Sequence, residues 1–261
     1  MHHLSSAQNP HIKRIRALQE KSKKRRLDHA FCVEGEKEIR HALEGGYVFE
    51  AFYFHENWEG DVVDFQYPGS EHFQLAPPLF ERLCYRKNTT RLIGIAKPKS
   101  HTLQELAIPA KKALLLIAEA PEKPGNIGAL LRTADAMGVD AVLLVNPKTD
   151  LYNPNVIRSS VGCVFSLPIA IGDLDETFEF LEKNNISVYS AAFTPTAKTY
   201  SSISYPTKTA IAVGTEDQGL TEQWLTKKSN PIIIPMHGQN DSLNLSVATG
   251  ILLSEVRRQR N

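Results

Sequence analysis

The second half of the chain constrains the fold more than any other feature. From Ala113 onward, short apolar runs alternate with segments of helical spacing. The run Ala113–Ala118 has the length and continuous apolar character of a strand buried on both faces, Ala141–Val145 reads as the next strand, and Ser187–Ala191, Ile211–Val213 and Ile232–Ile234 read as short, mostly apolar strands. Between them, Ile127–Met137 (closed by Gly138), Asn153–Val161 and Leu174–Lys183 read as helices, and Val164–Ile169 reads as extended. A final helix is expected from about Leu243 to Arg258. Neighbouring parallel strands need a crossover connection, so strands alternating with helices predict an α/β fold with a parallel sheet.

The first half is mixed α and β. Asn9–Lys23 has helical spacing, with Ile12, Ile15 and Leu18 near one side. Phe31–Val33 is a short apolar run, and a helix is expected over Gly35–Leu43, ending at Gly45 and Gly46. Glu50–Phe54 and Arg91–Ala96 read as strands and Pro78–Cys84 as a helix. The sequence Pro98-Lys99-Ser100-His101 breaks the pattern. The expected organisation is a small domain over 1–97, a linker over 98–110 and a larger domain over 111–261. A chain of 261 residues fits one large or two modest domains.

Composition removes several classes of function. With 42% apolar and 23% charged residues, the chain can bury a core and is not globally disordered. No run approaches the roughly 18 apolar residues of a spanning helix, so no membrane is expected as a partner. The start, Met1-His2-His3-Leu4-Ser5, lacks a signal-peptide core. Cys32, Cys84 and Cys163 are widely spaced and form no CxxC pair, so no metal is expected, and a reducing, cytoplasmic location fits best. The net charge of +1 hides a basic segment containing Lys13, Arg14, Arg16, Lys21, Lys23, Lys24, Arg25 and Arg26 against Glu20 alone. The chain also ends on Arg257, Arg258 and Arg260. Such segments suit a polyanion contact. On charge alone, a solvated helix face is equally open.

Three loops carry the candidate chemistry. The first, Glu119 to Arg132, joins a strand to a helix, where open α/β sheets place ligands. It is neither GxGxxG nor GxxxxGK[ST], which excludes the dinucleotide fingerprint and the P-loop. Locally, Asn126 reads first as an ordinary helix N-cap. Arg132 follows on an otherwise apolar or small-residue helix, which suits a buried, directed arginine. The second loop, Val213 to Leu220, has Gly214 and Gly219 for close backbone approach and Glu216 at the strand exit. An ordinary turn would use the same residues. The third, Ile234 to Ser246, is dense in polar residues. Asp241 or Ser242 could be its N-cap, and Asn244 is expected inside the first turn, where asparagine is unfavourable.

Together these segments resemble the three motifs of the SpoU (TrmH-like) family of RNA ribose 2′-O-methyltransferases. The first is similar to Pro124-Gly-Asn126-Ile-Gly followed by Arg132-Thr-Ala134. The second is similar to Gly214-Thr-Glu216 followed by Gly219-Leu220. The third is similar to Ile234-Pro-Met236 followed by Ser242-Leu-Asn244, Ser246 and Ala248. Asn9-Pro10, Ile12-Lys13 and Val33-Glu34-Gly35 also resemble the ribosomal-protein-L30-like RNA-binding domain that many members carry. Three positions depart from the motifs: Lys123 stands where an acid is often found, Asp217 where glycine is common, and Leu245 where valine is common.

The resemblance implies a SPOUT catalytic domain with a C-terminal trefoil knot, a homodimer, and S-adenosylmethionine as cofactor. It places the cofactor against Gly214, Gly219, Leu220, Ile234, Met236 and Leu243, with Ala192 and Thr194 lining the same pocket. It makes Arg132 the residue nearest the ribose 2′-hydroxyl, with Asn126, Glu216, Ser242 and Asn244 orienting the reactants. An arginine pKa above about 12 makes it a poor base, so Arg132 is read as a stabiliser of the developing alkoxide. RNA contacts are expected from Lys13, Arg14, Arg16, Lys23, Lys24, Arg25, Arg26 and Arg158, although Arg158 suits a plain surface helix equally well. The expected substrate is 23S ribosomal RNA, with tRNA as the alternative. A non-catalytic ribosome-assembly factor and another nucleotide-dependent α/β enzyme are the rival readings.

Overall fold

The computed structural model describes residues 2–85, 90–226 and 229–260. The chain forms two compact units, Met1–Lys99 with Asp150–Ser166, and Ser100–Thr149 with Leu167–Asn261.

The first unit is built on a mixed five-stranded sheet. Its strands are β1 (His2–Leu4), β2 (Phe31–Glu34), β3 (Phe49–His55), β4 (Glu71–Leu75) and β5 (Leu92–Ala96), in the order β1-β4-β3-β5-β2. The sequence reading does not anticipate β1 or β4. The first is three residues long with only Leu4 buried, and in the second only Phe73 and Leu75 turn inward. One side of the sheet is covered by the helix Pro10–Glu20, whose Ile12, Ile15 and Leu18 are fully buried with Tyr53, Ile93 and Ile95. Asn9 caps this helix by accepting from the His11 N–H at 2.9 Å, with Pro10 in its first turn. The single helix expected to Lys23 instead breaks at Lys21, which is extended, and resumes as Ser22–Asp28. The helix expected over Pro78–Cys84 is shorter, Pro77–Glu81.

Asp150–Ser166 lies in this first unit, although the sequence boundaries assign it to the second domain. Arg25 donates to Asp150 at 2.5 Å, and Tyr152 stacks on Phe31 with ring centroids 4.1 Å apart. Phe165 and Tyr47 complete the aromatic cluster. Val164–Ile169 is not extended throughout: Cys163–Ser166 is helical and a strand starts at Ile169. Burying four aromatic rings outweighs the weak strand preference of a short apolar run. The three cysteines are buried and form no disulfide among the described residues, and burial pushes the Cys32 thiol up to about 12.

The second unit has a seven-stranded, wholly parallel sheet. Its strands are β6 (Ala113–Glu119), β7 (Ala141–Val145), β8 (Ile169–Gly172), β9 (Ser187–Ala191), β10 (Lys198–Thr199), β11 (Lys208–Val213) and β12 (Asn230–Ile233). Their order is β10-β12-β9-β11-β6-β7-β8. Every residue of β6 and β7 is buried, as helices on both faces require. The chain builds outward from β6 through β7 and β8, then returns to lay β11 on the other side of β6. That reversal between β6 and β11 opens a crevice at their C-terminal ends, where open α/β sheets bind ligands. From Ser100 on, the expected linker is part of this unit: Leu103 is buried in its core, and the Ile171 N–H donates to the His101 carbonyl at 2.6 Å.

The helix Pro124–Ala136 leaves the crevice beside the long closing helix Leu245–Arg260. Gly138 adopts φ +59° just past its end, where glycine carries no Cβ penalty. Arg257 Nε donates to the Met137 carbonyl at 2.5 Å and its Nη2 to the Gly138 carbonyl, adding a cation at the helix C-terminus. Arg258 pairs with Glu255 at 2.8 Å, and Arg260 donates to the Thr207 carbonyl at 2.8 Å. The terminal arginines that could suit a polyanion are therefore committed within the fold.

Candidate active site

Three loops meet at the C-terminal ends of β6, β11 and β12. The first two are tied by Glu119, the last residue of β6. Its side chain is buried, and its two oxygens accept the Thr221 amide and hydroxyl, each at 2.8 Å. Thr221→Val would leave one oxygen of a buried carboxylate without a donor. We expect a loss of about 1–3 kcal/mol in denaturant unfolding. A loss below about 0.5 kcal/mol, the range of an ordinary surface change, would exclude this anchoring role.

The second loop folds back tightly on itself. Thr215 and Gly219 exchange backbone hydrogen bonds at 3.1 Å in both directions. Gly214 lies so close that a Cβ there would come within 2.0 Å of Gly219 backbone atoms and 2.3 Å of the Leu220 nitrogen. Only glycine fits, and Gly219 itself adopts φ +69°.

Glu216, at the tip of this loop, joins all three. Its Oε2 accepts from Lys123 Nζ at 2.8 Å, and its Oε1 from Asn244 Nδ2 at 3.0 Å. The Asn126 side chain and the Leu245 backbone N–H also favour the ionised form of this carboxylate. The Lys123 ammonium, with these donors, holds the Glu216 carboxyl below the usual carboxylate range, against a smaller opposing effect of burial. Glu216 in turn raises the Lys123 pKa.

Two residues serve differently from their sequence reading. Lys123 is the N-cap of the Pro124–Ala136 helix, so Asn126 lies inside the first turn rather than capping it. Asn244, rather than Asp241 or Ser242, caps the last helix. Its Oδ1 accepts from the Ser246 N–H at 3.0 Å and from the Ser246 hydroxyl at 2.6 Å, and its carbonyl accepts from Ala248. With Oδ1 committed to donors, the amide NH2 must face Glu216, which fixes the side-chain orientation.

Beside Glu216 lies a cavity of about 710 Å³, mostly apolar in its walls. Gly214, Gly219, Ile234, Met236, Leu243 and Ala192 line it, as do Glu216 and Ser242. Thr194 and Leu220 do not: Leu220 packs on the unit's core, and the Thr194 hydroxyl lies 3.3 Å from that of Thr196. Asn126 and Asn244 reach the cavity only through Glu216. Arg132 is exposed rather than buried. It lies outside the cavity wall and makes no hydrogen bond or ion pair with a described residue. Sequence reasoning missed Phe193, which lines the cavity although 95% exposed, together with the Glu119–Thr221 tie and the Lys123–Glu216 pair. Phe193 has a sequence signal, an aromatic ring between two small residues after a strand; the paired side chains have none.

The expected RNA-contact residues divide. Lys13, Lys23 and Arg26 are exposed, and Arg16 is half-buried. Arg14 pairs with Glu50 at 2.8 Å and Asp28 at 3.4 Å, and Lys24 pairs with Asp28 at 2.8 Å. Arg25 is 5% exposed, bound to Asp150 and to the Leu18 and Gln19 carbonyls, so it is a buried structural arginine and no surface contact. Arg158 lies 4.1 Å over the Tyr85 ring and donates to Asn155 at 3.1 Å. Among the described residues, no cluster of His, Cys, Asp or Glu could hold a metal ion, and no helix is long and apolar enough to cross a membrane.

An open α/β crevice lined by three converging polar loops, one of them tightened by glycine, defines a cofactor-binding enzyme site. The SpoU rRNA methylase family matches residues 113–254, and the MRM3-like substrate-binding domain matches residues 9–94. The chain belongs to the SpoU rRNA methylase family. The 23S rRNA (guanosine(2553)-2′-O)-methyltransferase RlmP of Bacillus subtilis is 30% identical over 258 residues, covering 98% of this chain and all of that protein. The tRNA (guanosine(18)-2′-O)-methyltransferase of Thermus thermophilus is 36% identical over 148 residues, covering 56% of this chain and 75% of that one. The AdoMet-bound rRNA methyltransferase from Sinorhizobium meliloti superposes with a TM-score of 0.89 at 27% identity, covering 98% and 97% of the two chains. The chain is thus an RNA methyltransferase, and S-adenosylmethionine is its cofactor. The cavity fits such a group. Its volume suits a nucleoside-sized ligand, and the tight Gly214–Gly219 turn that lines it can form only without a Cβ at Gly214.

Proposed function

We propose that the protein transfers a methyl group to a ribose 2′-oxygen of 23S ribosomal RNA in the cytoplasm. The observation that carries this reading is coverage. The 23S rRNA relative aligns with this chain from end to end, whereas the tRNA relative aligns over 148 residues only. A first unit matching a substrate-binding domain fits a large, structured RNA, which proteins read by shape and exposed bases.

In this reading, Gly214, Gly219, Ile234, Met236, Leu243 and Ala192 hold the cofactor. When bound, it supplies an electrophilic methyl group on a sulfonium. The chain's own residues orient the ribose and stabilise charge on its oxygen. Glu216, held by Asn126 and Asn244, fixes the geometry of the three loops, with Ser242 beside it. Arg132 offers its guanidinium to the oxygen as its proton passes to solvent water. Orientation of this kind accounts for roughly 7–11 kcal/mol of a barrier in favourable cases. Arg132 is exposed, unpaired among the described residues and outside its own cavity wall, which supports a homodimer in which a second copy completes each site. The strand order, with β12 laid between β9 and β10, supports a knotted path for the last loops.

The test is incubation with methyl-labelled S-adenosylmethionine and separate unmethylated rRNA and tRNA pools, followed by digestion to nucleosides. Label as 2′-O-methylnucleoside in the rRNA pool alone is the expected result. Label in the tRNA pool alone would overturn the substrate assignment. RNA affinity should fall steeply with salt. Lys13→Ala, Lys23→Ala and Arg26→Ala should each reduce the log–log salt slope by about 0.7–0.9. Arg25→Ala should leave that slope intact and cost about 1–3 kcal/mol of stability, because Asp150 Oδ2 loses its donor while Oδ1 keeps the Tyr152 N–H. An Arg25→Ala protein with normal stability and a reduced slope would reverse this division.

A further inference from the structure

Lys123 departs from the motif and has no assigned role. It sits at the N-cap of the Pro124–Ala136 helix and reaches across to the β11 loop, where Nζ meets Glu216 Oε2 at 2.8 Å. The Lys123 side chain is 68% exposed and that of Glu216 26% exposed. An ion pair this exposed contributes only about 0–1 kcal/mol to stability, so stability is not its main consequence. Its geometry is more informative. The two oxygens of one carboxylate are divided between loops: Oε2 faces Lys123 in the first, and Oε1 faces Asn244 in the third. Asn244 cannot turn, because its Oδ1 caps the last helix. The carboxylate plane is therefore set from both ends, and Lys123 supplies the end nearest solvent.

The geometry points to Lys123 as a positioning residue for methyl transfer: it holds Glu216 in the orientation that joins the three loops. This inference rests on the assignment of Glu216 to the active site. It acts through Glu216 and needs no contact with the reacting atoms.

The experiment compares wild type, Lys123→Met and Lys123→Arg in two measurements on the full-length protein. The first is steady-state methylation of unmethylated 23S rRNA with saturating S-adenosylmethionine. The second is amide hydrogen exchange across residues 214–220. Lys123→Met is expected to lower kcat about tenfold, with KM for RNA rising less than about threefold. It should also speed exchange in the loop. Lys123→Arg should restore both, since it keeps the charge and the donors. A rise in KM alone would overturn the proposal and make Lys123 an ordinary phosphate contact. Unchanged exchange in Lys123→Met would overturn it as well. A wild type that transfers no methyl group would fail the functional reading by itself, and the exchange measurement would still judge the hold of Lys123 on the loop.

Discussion

Gly214→Ala is expected to weaken S-adenosylmethionine binding by at least tenfold in calorimetry. The new Cβ would lie 2.0 Å from Gly219 backbone atoms, and backbone has no rotamer to move aside. The loop must open by more than an ångström, breaking the paired hydrogen bonds between Thr215 and Gly219. Overpacking of this kind costs typically 1–3 kcal/mol, and each 1.4 kcal/mol taken from the bound geometry is about tenfold in affinity. Two control variants separate this clash from a general intolerance of substitution. Gly125→Ala meets nothing within 4 Å and should leave binding unchanged. Gly219→Ala also meets nothing, but its φ of +69° should cost about 1–2 kcal/mol. A Gly214→Ala protein that binds the cofactor like wild type would remove this loop from the cofactor site.

Arg132→Ala is expected to reduce methyl transfer by about 10²–10³-fold, the usual effect of deleting a group that stabilises developing negative charge. Cofactor affinity and melting temperature should hardly change, because Arg132 is exposed and makes no hydrogen bond or ion pair with a described residue. Exposed positions of this kind usually shift stability by no more than about 0.5 kcal/mol. Arg132→Lys keeps the charge but loses the planar fork and should fall between the two. Normal turnover by Arg132→Ala would exclude any direct part in the reaction. A loss of turnover matched by a loss of melting temperature would make Arg132 structural.

The expected residues differ in how well the sequence described them. Where a property is local, the reading is close. Leu174–Lys183 and Ser187–Ala191 fall at the expected boundaries, the first through a capping box between Asp173 and Glu176. The parallel sheet is legible because strands buried on both faces must be continuously apolar. Gly214, Ile234 and Met236 reach the expected cavity because they follow strand ends, and Leu243 because it precedes the last helix. Elsewhere the same sequence signal covers different outcomes. Lys13 and Arg25 belong to one basic run, yet one is exposed and the other is buried against Asp150, 125 residues away. Thr194 and Ala192 are two residues apart, and only Ala192 lines the cavity.

By itself, the sequence determined the alternation of strands and helices, the order and spacing of the three loops, and the glycines that permit tight turns. These depend on backbone preference and on periodic burial, which act over a few residues. Only the tertiary structure decided that Asp150–Ser166 packs with the first sheet, that Arg25 is structural, and that Lys123, Asn126 and Asn244 converge on Glu216. Those outcomes depend on which strand ends lie side by side. The reversal between β6 and β11 brings together loops about 90 residues apart, and a carboxylate finds its partners by proximity in space rather than along the chain.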